Sequence, residues 1–198
     1  MTALCVNTGV KVLAAVAMCI GGSLVWAAGI HEAQSARLKF DAIETGKAAP
    51  GSRIVFSAAE LNAWLAGAAK TYAPEGARNV RMVLGASRAT GFADIDFVRL
   101  RQAATGESTG WLMKNLFSGE RPVRVTARFE SRNGEARVTV ERVEISGVAI
   151  EGAALDFAID AFVRPEFPNA VVSEWFPLRY NVDHFTVNPS GVVVFMGR

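Results

Sequence analysis

The sequence predicts an α+β domain of antiparallel hairpins mounted behind one membrane-spanning helix, and three features predict it. Val12–Ile30 is nineteen consecutive residues without a charge. Ser57-Ala58-Ala59-Glu60 opens an amphipathic helix with a capping box. Two hairpins, across Asn133-Gly134 and across Asn188-Pro189-Ser190-Gly191, supply antiparallel strands with no sign of βαβ units.

A helix over Val12–Ile30, at ~1.5 Å per residue, covers about 28 Å, close to a bilayer's hydrocarbon core. It is either an uncleaved anchor, with residues 1–11 in the cytoplasm, or a signal peptide that is removed. The run is longer than a usual signal core, and Trp26 spoils Val25-Trp26-Ala27 as a cleavage site, so the anchor is favoured. Lys11 before the run, with Arg37 and Lys39 after it, orients it only weakly. Cys19 follows Met18, whereas a lipid-attachment cysteine follows a small residue. The expected location is a single-pass inner membrane protein with its domain in the periplasm or extracellular space. A cleaved segment would make the protein secreted.

Both cysteines, Cys5 and Cys19, lie in this N-terminal part, so the outer domain has no disulfide. The chain carries 21 Lys and Arg against 19 Asp and Glu, and without Lys11 the balance is 20 to 19. A near-neutral domain of this kind excludes nucleic acid as the expected partner.

His31–Ser52 reads as a stalk ending in the linker-like Thr45-Gly46-Lys47-Ala48-Ala49-Pro50-Gly51, with the folded domain over 53–198. After Ile54-Val55-Phe56 the capped helix runs to about Lys70, with Leu61, Trp64, Leu65 and Ala68 on one face. Val80–Leu84 and Phe92–Leu100 read as strands. Asp94 and Asp96 would share a face of the second, a solvated pair rather than a metal site. Ser108–Phe117 reads as a short helix with Trp111 off its apolar face.

Pro122–Glu130 alternates cleanly, with Val123, Val125, Ala127 and Phe129 on one side. A two-residue Asn133-Gly134 loop then places Arg132 opposite Glu135 and Glu130 opposite Arg137, and both pairs are charge-complementary. It also sets Phe129 against Val138 and Ala127 against Val140. The alternation slips at Glu141-Arg142, which a bulge explains.

Ala153–Val163 reads as a second, apolar helix whose only charges are Asp156 and Asp160. Leu155, Ile159 and Phe162 form its main face and Phe157 lies round from it. The helix is either buried on two sides or lines an apolar cavity. Arg164-Pro165 ends it, an aromatic segment holding Phe167-Pro168 and Trp175-Phe176-Pro177 follows, and Leu178–Val187 and Val192–Met196 close the chain as a hairpin built into the sheet.

Gly106-Glu107-Ser108-Thr109-Gly110 matches the form of a nucleophile elbow, with acidic residues and His184 downstream in hydrolase order. The elbow needs a buried parallel strand before it, and Arg99, Arg101 and Gln102 stand there instead. A serine hydrolase using Ser108 is therefore a remote alternative. His184, the one histidine beyond the stalk, excludes a histidine-rich metal site, and no phosphate loop or dinucleotide fingerprint is present. The expectation is a non-enzyme without cofactor or metal.

The order of elements resembles something at this point. A Ser57-x-x-Glu60-Leu61-Asn62 helix opener precedes long strands, an Asn-Gly hairpin, an apolar helix and a last strand after Asn188-Pro189-Ser190-Gly191. Over roughly Ile54–Met196 this layout resembles the membrane-tethered extracytoplasmic domains of the YceB-like and YpmS-like bacterial families, similar in shape to tubular lipid-binding domains. The resemblance implies a curled antiparallel sheet wrapped on a long helix, with an apolar groove between them and no catalytic residues.

The expected function is a membrane-anchored binding module for lipid or another apolar ligand. Leu61, Trp64, Leu65, Phe129, Phe157, Ile159 and Phe162 would line its groove, and Trp111 and Trp175 would sit at the membrane interface. The alternative is a scaffold subunit of an envelope assembly with a protein partner.

Overall fold

A computed structural model describes residues 28–72, 76–99, 119–152 and 173–198. The expectations for Val12–Ala27, Ser108–Phe117 with Trp111, the Ser108 elbow, and Ala153–Val163 with Phe157, Ile159 and Phe162 lie outside these residues. The order is α1 (Ala28–Glu44), β1 (Arg53–Ser57), α2 (Ala58–Tyr72), β2 (Ala77–Gly85), β3 (Arg88–Ile95), β4 (Arg121–Arg132), β5 (Glu135–Ile145), β6 (Val148–Ile150), β7 (Trp175–Pro177), β8 (Val182–Asn188) and β9 (Gly191–Met196). The chain is α+β with antiparallel sheets, and the strands form two sheets. The larger runs β2-β3-β4-β5-β6 with β7 beside the start of β5, and the smaller runs β1-β9-β8. The core lies where α1 and α2 pack over the inner faces of both.

The first difference from expectation is α1, which occupies most of the predicted stalk. Ala36, Phe40 and Ile43 are buried in the core, and the Phe40 ring lies 4.6 Å from Phe56 and 4.7 Å from Trp64. The folded unit therefore begins well before Arg53. The stripe escapes notice because Ser35 and Lys39, polar residues on the same side, also turn inward. They meet Glu60. Among the described residues no helix is long and apolar enough to cross a membrane.

The capping box forms as predicted. The Glu60 amide donates to Ser57 Oγ at 3.1 Å, and the Ser57 amide donates to Glu60 Oε2 at 2.7 Å. Leu61, Leu65, Ala68 and Ala69 then face the core. Asn62, on the flank of this stripe, does a second job. Its Oδ1 accepts from the Met82 amide at 2.6 Å and its Nδ2 donates to the Met82 carbonyl at 3.0 Å. A side-chain amide thus takes the place of a further strand on the outer edge of β2, which would otherwise invite pairing with another chain. Asn62→Leu leaves both Met82 groups without a partner, so we expect a loss of about 2 kcal/mol in urea unfolding of the full chain. A loss below about 0.5 kcal/mol would mean that water replaces the amide at no cost.

The β4–β5 hairpin has the predicted register: Arg132 opposes Glu135, Glu130 opposes Arg137, Phe129 opposes Val138 and Ala127 opposes Val140. Asn133 and Gly134 both take positive φ, 50° and 77°, as a type I′ turn requires. The bulge is also present, since Thr126 opposes Arg142 and leaves Glu141 as the extra residue. Its purpose is electrostatic. Arg88 and Arg128 oppose each other directly on β3 and β4, a repulsive pair. The bulge sets the Glu141 carboxylate between them, 2.7 Å from each guanidinium Nε. Those two hydrogen bonds hold the Glu141 pKa down at about 2.

The predicted Phe92–Leu100 strand is instead β3, Arg88–Ile95. Asp96 stands outside it, where its Oδ1 accepts from the amides of Val98 and Arg99 and caps a helical turn. Asp94 accepts from Asn79 Nδ2 at 2.7 Å. The two carboxylates thus have separate structural partners. The last hairpin starts at Val182 rather than Leu178, and β9 sits at the centre of the smaller sheet, as expected of a strand built into it.

Candidate functional site

The residues expected to line an apolar groove divide. Leu61 and Leu65 are 5% and 0% exposed, and Phe129 is buried with its ring edge-on to Phe185. Trp64 is half-buried against Phe40. The void that Leu61, Trp64 and Phe129 share with Met82, Leu84 and Val192 measures about 30 Å³, room for one water and far short of an acyl chain. Among the described residues this face is packed core.

A cleft of about 460 Å³ opens elsewhere, at the seam between the sheets. The end of β4 and the middle of β8 lie side by side there but form no ladder. The Ser87 peptide is inserted between them, its amide donating to Val187 O and its carbonyl accepting from the Phe129 amide, both at 2.9 Å. Ser87 takes φ of 52° to do so. Two residues further along β4, Ser131 Oγ donates to Phe185 O at 2.6 Å and accepts from the Phe185 amide at 2.8 Å. The strands are therefore joined by side chain and turn, and further along the Gly134 amide donates to Asp183 O at 2.7 Å.

Glu130, Arg132, Arg137 and Thr186 line the cleft, and Phe129, Phe185 and Val187, buried in the core, border it from below. Trp175, on β7, forms a wall. The guanidinium carbons of Arg132 and Arg137 lie 4.5 and 5.1 Å from its ring centroid. Arg137 Nε and Nη2 both donate to Glu130 Oε2, at 2.9 and 2.7 Å. Arg132 has no ion pair among the described residues, so the cleft carries one uncompensated positive charge beside an aromatic wall. Trp175, expected at a membrane interface, stands here. Neither the cleft nor the roles of Ser87, Ser131 and Arg132 was legible in the sequence; the aromatic segment Trp175-Phe176-Pro177 was its one visible sign.

His184 lies outside the cleft. Its Nδ1 is 2.6 Å from Asp183 Oδ2 and its ring stacks on Phe195 at 4.3 Å. Among the described residues no hydroxyl reaches the ring, and no three His, Cys, Asp or Glu side chains converge as metal ligands. Compared with known proteins, the chain matches no family model, no curated protein and no solved structure.

Proposed function

We propose that this chain is a membrane-anchored, non-catalytic extracytoplasmic binding module, and that its ligand seat is the seam cleft rather than a groove under α2. One comparison carries the reading: the cleft has about 460 Å³, within the range of small-molecule sites, while the void beside Leu61 and Trp64 has about 30 Å³. The resemblance in layout to tethered lipid-binding domains points to the same class of function.

The anchor reading gains a consequence from α1. This helix starts at Ala28, inside the end of the uncharged Val12–Ile30 stretch, and is already in the core at Ala36. Six helical residues from Ile30 to Ala36 cover about 9 Å. A domain anchored this way is carried against the bilayer surface, with no slack between span and fold.

Thr186→Trp plugs the cleft from an exposed position on β8 and suits a strand. The full chain and this variant, taken from membranes in polymer nanodiscs, are compared by native mass spectrometry. The expected result is a small-molecule adduct on the wild type that Thr186→Trp loses while keeping its circular dichroism. Absence of an adduct from both would overturn the module. It would favour the scaffold reading, for which exposed Val83 on β2 and Val148 on β6, at opposite edges of the larger sheet, offer contacts.

A further inference from the structure

We infer that the outer face of the larger sheet docks on a bilayer surface bearing anionic phospholipid headgroups. The strand registers define that face. Arg81 of β2 opposes Phe92 of β3, which opposes Arg124 of β4, which opposes Glu144 of β5. Further along the strands Arg88 opposes Arg128, and between the two rows Thr126 opposes Arg142. These residues share one side of the sheet. The alternate positions Val80, Met82, Leu84, Ala89 and Ala127 are buried on the other. The face shares no residue with the lining of the seam cleft, so it is tested separately from the ligand seat proposed there.

Five arginines stand here against two glutamates, and each glutamate is shared. Glu141 lies 2.7 Å from Nε of both Arg88 and Arg128. Glu144 lies 3.1 Å from Arg124 and 2.7 Å from Arg142. Each trio therefore keeps one positive charge. Arg81 makes no ion pair among the described residues and adds a third. The flanking pairs, Arg78 with Glu120 and Arg137 with Glu130, are balanced. Asp94, two residues beyond Phe92 and hydrogen-bonded to Asn79, offsets one of the three charges. The formal net charge of the whole chain is +2, so its excess sits on this one face.

The chemistry of this excess selects an oxyanion. All five cations are guanidiniums, which stay charged at any ordinary pH and fork onto phosphate oxygens. Arg88, Arg128 and Arg142 bond their glutamates through Nε, so their terminal nitrogens keep donors for another partner. Arg81 and Arg124 lie 4.1 and 4.9 Å from the Phe92 centroid, which props both guanidiniums by their faces and leaves their in-plane donors available. Strand rise and spacing give the five arginines a footprint of about 14 by 14 Å. A single small anion engages one corner of it, whereas an array of headgroups engages all of it. Val83, 51% exposed on the same face of β2, is buried by a bilayer interface and left wet by a soluble polyanion. The anchor proposed above would hold the domain at such a surface.

The test uses the full chain in nanodiscs of neutral lipid, mixed with sedimentable vesicles of phosphatidylcholine alone or with phosphatidylglycerol. The wild type is expected to bind the anionic vesicles at least about tenfold more tightly, and added salt to erase the difference by screening. Arg81→Gln, Arg88→Gln and Arg142→Gln together leave Glu141 with Arg128 and Glu144 with Arg124, so each trio becomes a neutral pair. This face variant is expected to lose the preference and keep its melting temperature. A control removes three exposed charges elsewhere, by Arg37→Gln, Lys47→Gln and Lys70→Gln, and is expected to keep the preference. Equal binding to both kinds of vesicle, a preference that survives the face variant, or equal losses in the two triple variants would overturn the inference. So would binding of a single-stranded oligonucleotide without binding of vesicles, which would reassign the face to nucleic acid. Should the face variant fail to fold, Arg81→Gln alone is expected to weaken anionic-vesicle binding about fivefold, and an unchanged affinity would overturn the inference. Thr186→Trp is expected to bind these vesicles as the wild type does, so a failure here leaves the seam cleft as a separate question.

Discussion

Glu60→Ala is expected to destabilise the full chain by about 3 kcal/mol and lower its melting temperature by roughly 6–12 °C. Glu60 is 8% exposed and serves three donors. Its Oε2 accepts from the Ser57 amide, while Oε1 accepts from Ser35 Oγ and Lys39 Nζ, both at 2.5 Å. Alanine removes half of the capping box, which alone is worth about 1 kcal/mol. It also strands the Lys39 ammonium, a third exposed, with the Val55 carbonyl and the Phe56 ring in place of its counterion. The remaining cost is that of a partly buried charge without its counterion. Glu60→Gln keeps a capping acceptor and should lose about half as much. A melting temperature within a degree or two of the wild type would show that the carboxylate does not tie α1 to α2.

The same carboxylate gives a pH signature. Burial by itself raises the Glu60 pKa, but hydrogen bonds from Lys39, Ser35 and the Ser57 amide, with the Lys39 charge, outweigh it and bring the pKa to about 2 from a usual 4.5. A pKa lower in the folded state than in the unfolded one stabilises the fold above the unfolded value. That contribution, up to about 3 kcal/mol, is lost as the pH falls from about 4.5 to about 2. Glu141 acts in the same direction and window at a more exposed site. The wild type should therefore lose stability steeply over this range and Glu60→Ala less so. Parallel slopes would refute the assignment.

Gly191→Ala should be more damaging still, at more than about 3 kcal/mol. Gly191 opens β9 opposite Ser57, at φ of 156°. A Cβ there would stand 2.0 Å from the Phe56 carbonyl oxygen and 3.0 Å from Ser57 Cα. Both are backbone atoms, so relief requires β1 to leave β9. That movement also breaks the bond from the Ala58 amide to Ser190 O, where α2 starts. Gly147→Ala is the control. Gly147 has φ of 80° but nothing within 4 Å of the added carbon, so only backbone strain of about 1 kcal/mol is expected. The comparison is made on soluble yield and thermal melts. If the two variants melt together, the close approach of β1 to β9 is not what fixes the smaller sheet.

Legibility in the sequence followed separation along the chain. The β4–β5 register could be read because an Asn-Gly turn and alternating residues fix it within a few positions. The Glu141 bulge was visible as a slip in that alternation, but its cause was not. Arg88, which Glu141 holds, is 53 residues away. The α1 stripe is not legible locally, because Ser35 and Lys39 are polar and turn inward only to meet Glu60, 25 and 21 residues on. Trp175 is visible in the sequence only as part of the aromatic segment Trp175-Phe176-Pro177. The arginines stacked on it belong to β4 and β5, and nothing near Trp175 announces them.

The sequence by itself determined the α+β class, the capping box, both hairpins and the place of the last strand, since dihedral preference, capping and alternation act between neighbours. Only the tertiary structure decided that Leu61 and Leu65 are core, that Asn62 closes the β2 edge, and that a cleft opens beside Arg132 and Trp175. Each of these depends on how far apart two elements come to rest, and the inward face of a packed core and the wall of an open groove have the same local pattern of residues. What separates the two here is the joint between β4 and β8, where Ser131 meets Phe185 across 54 positions of sequence.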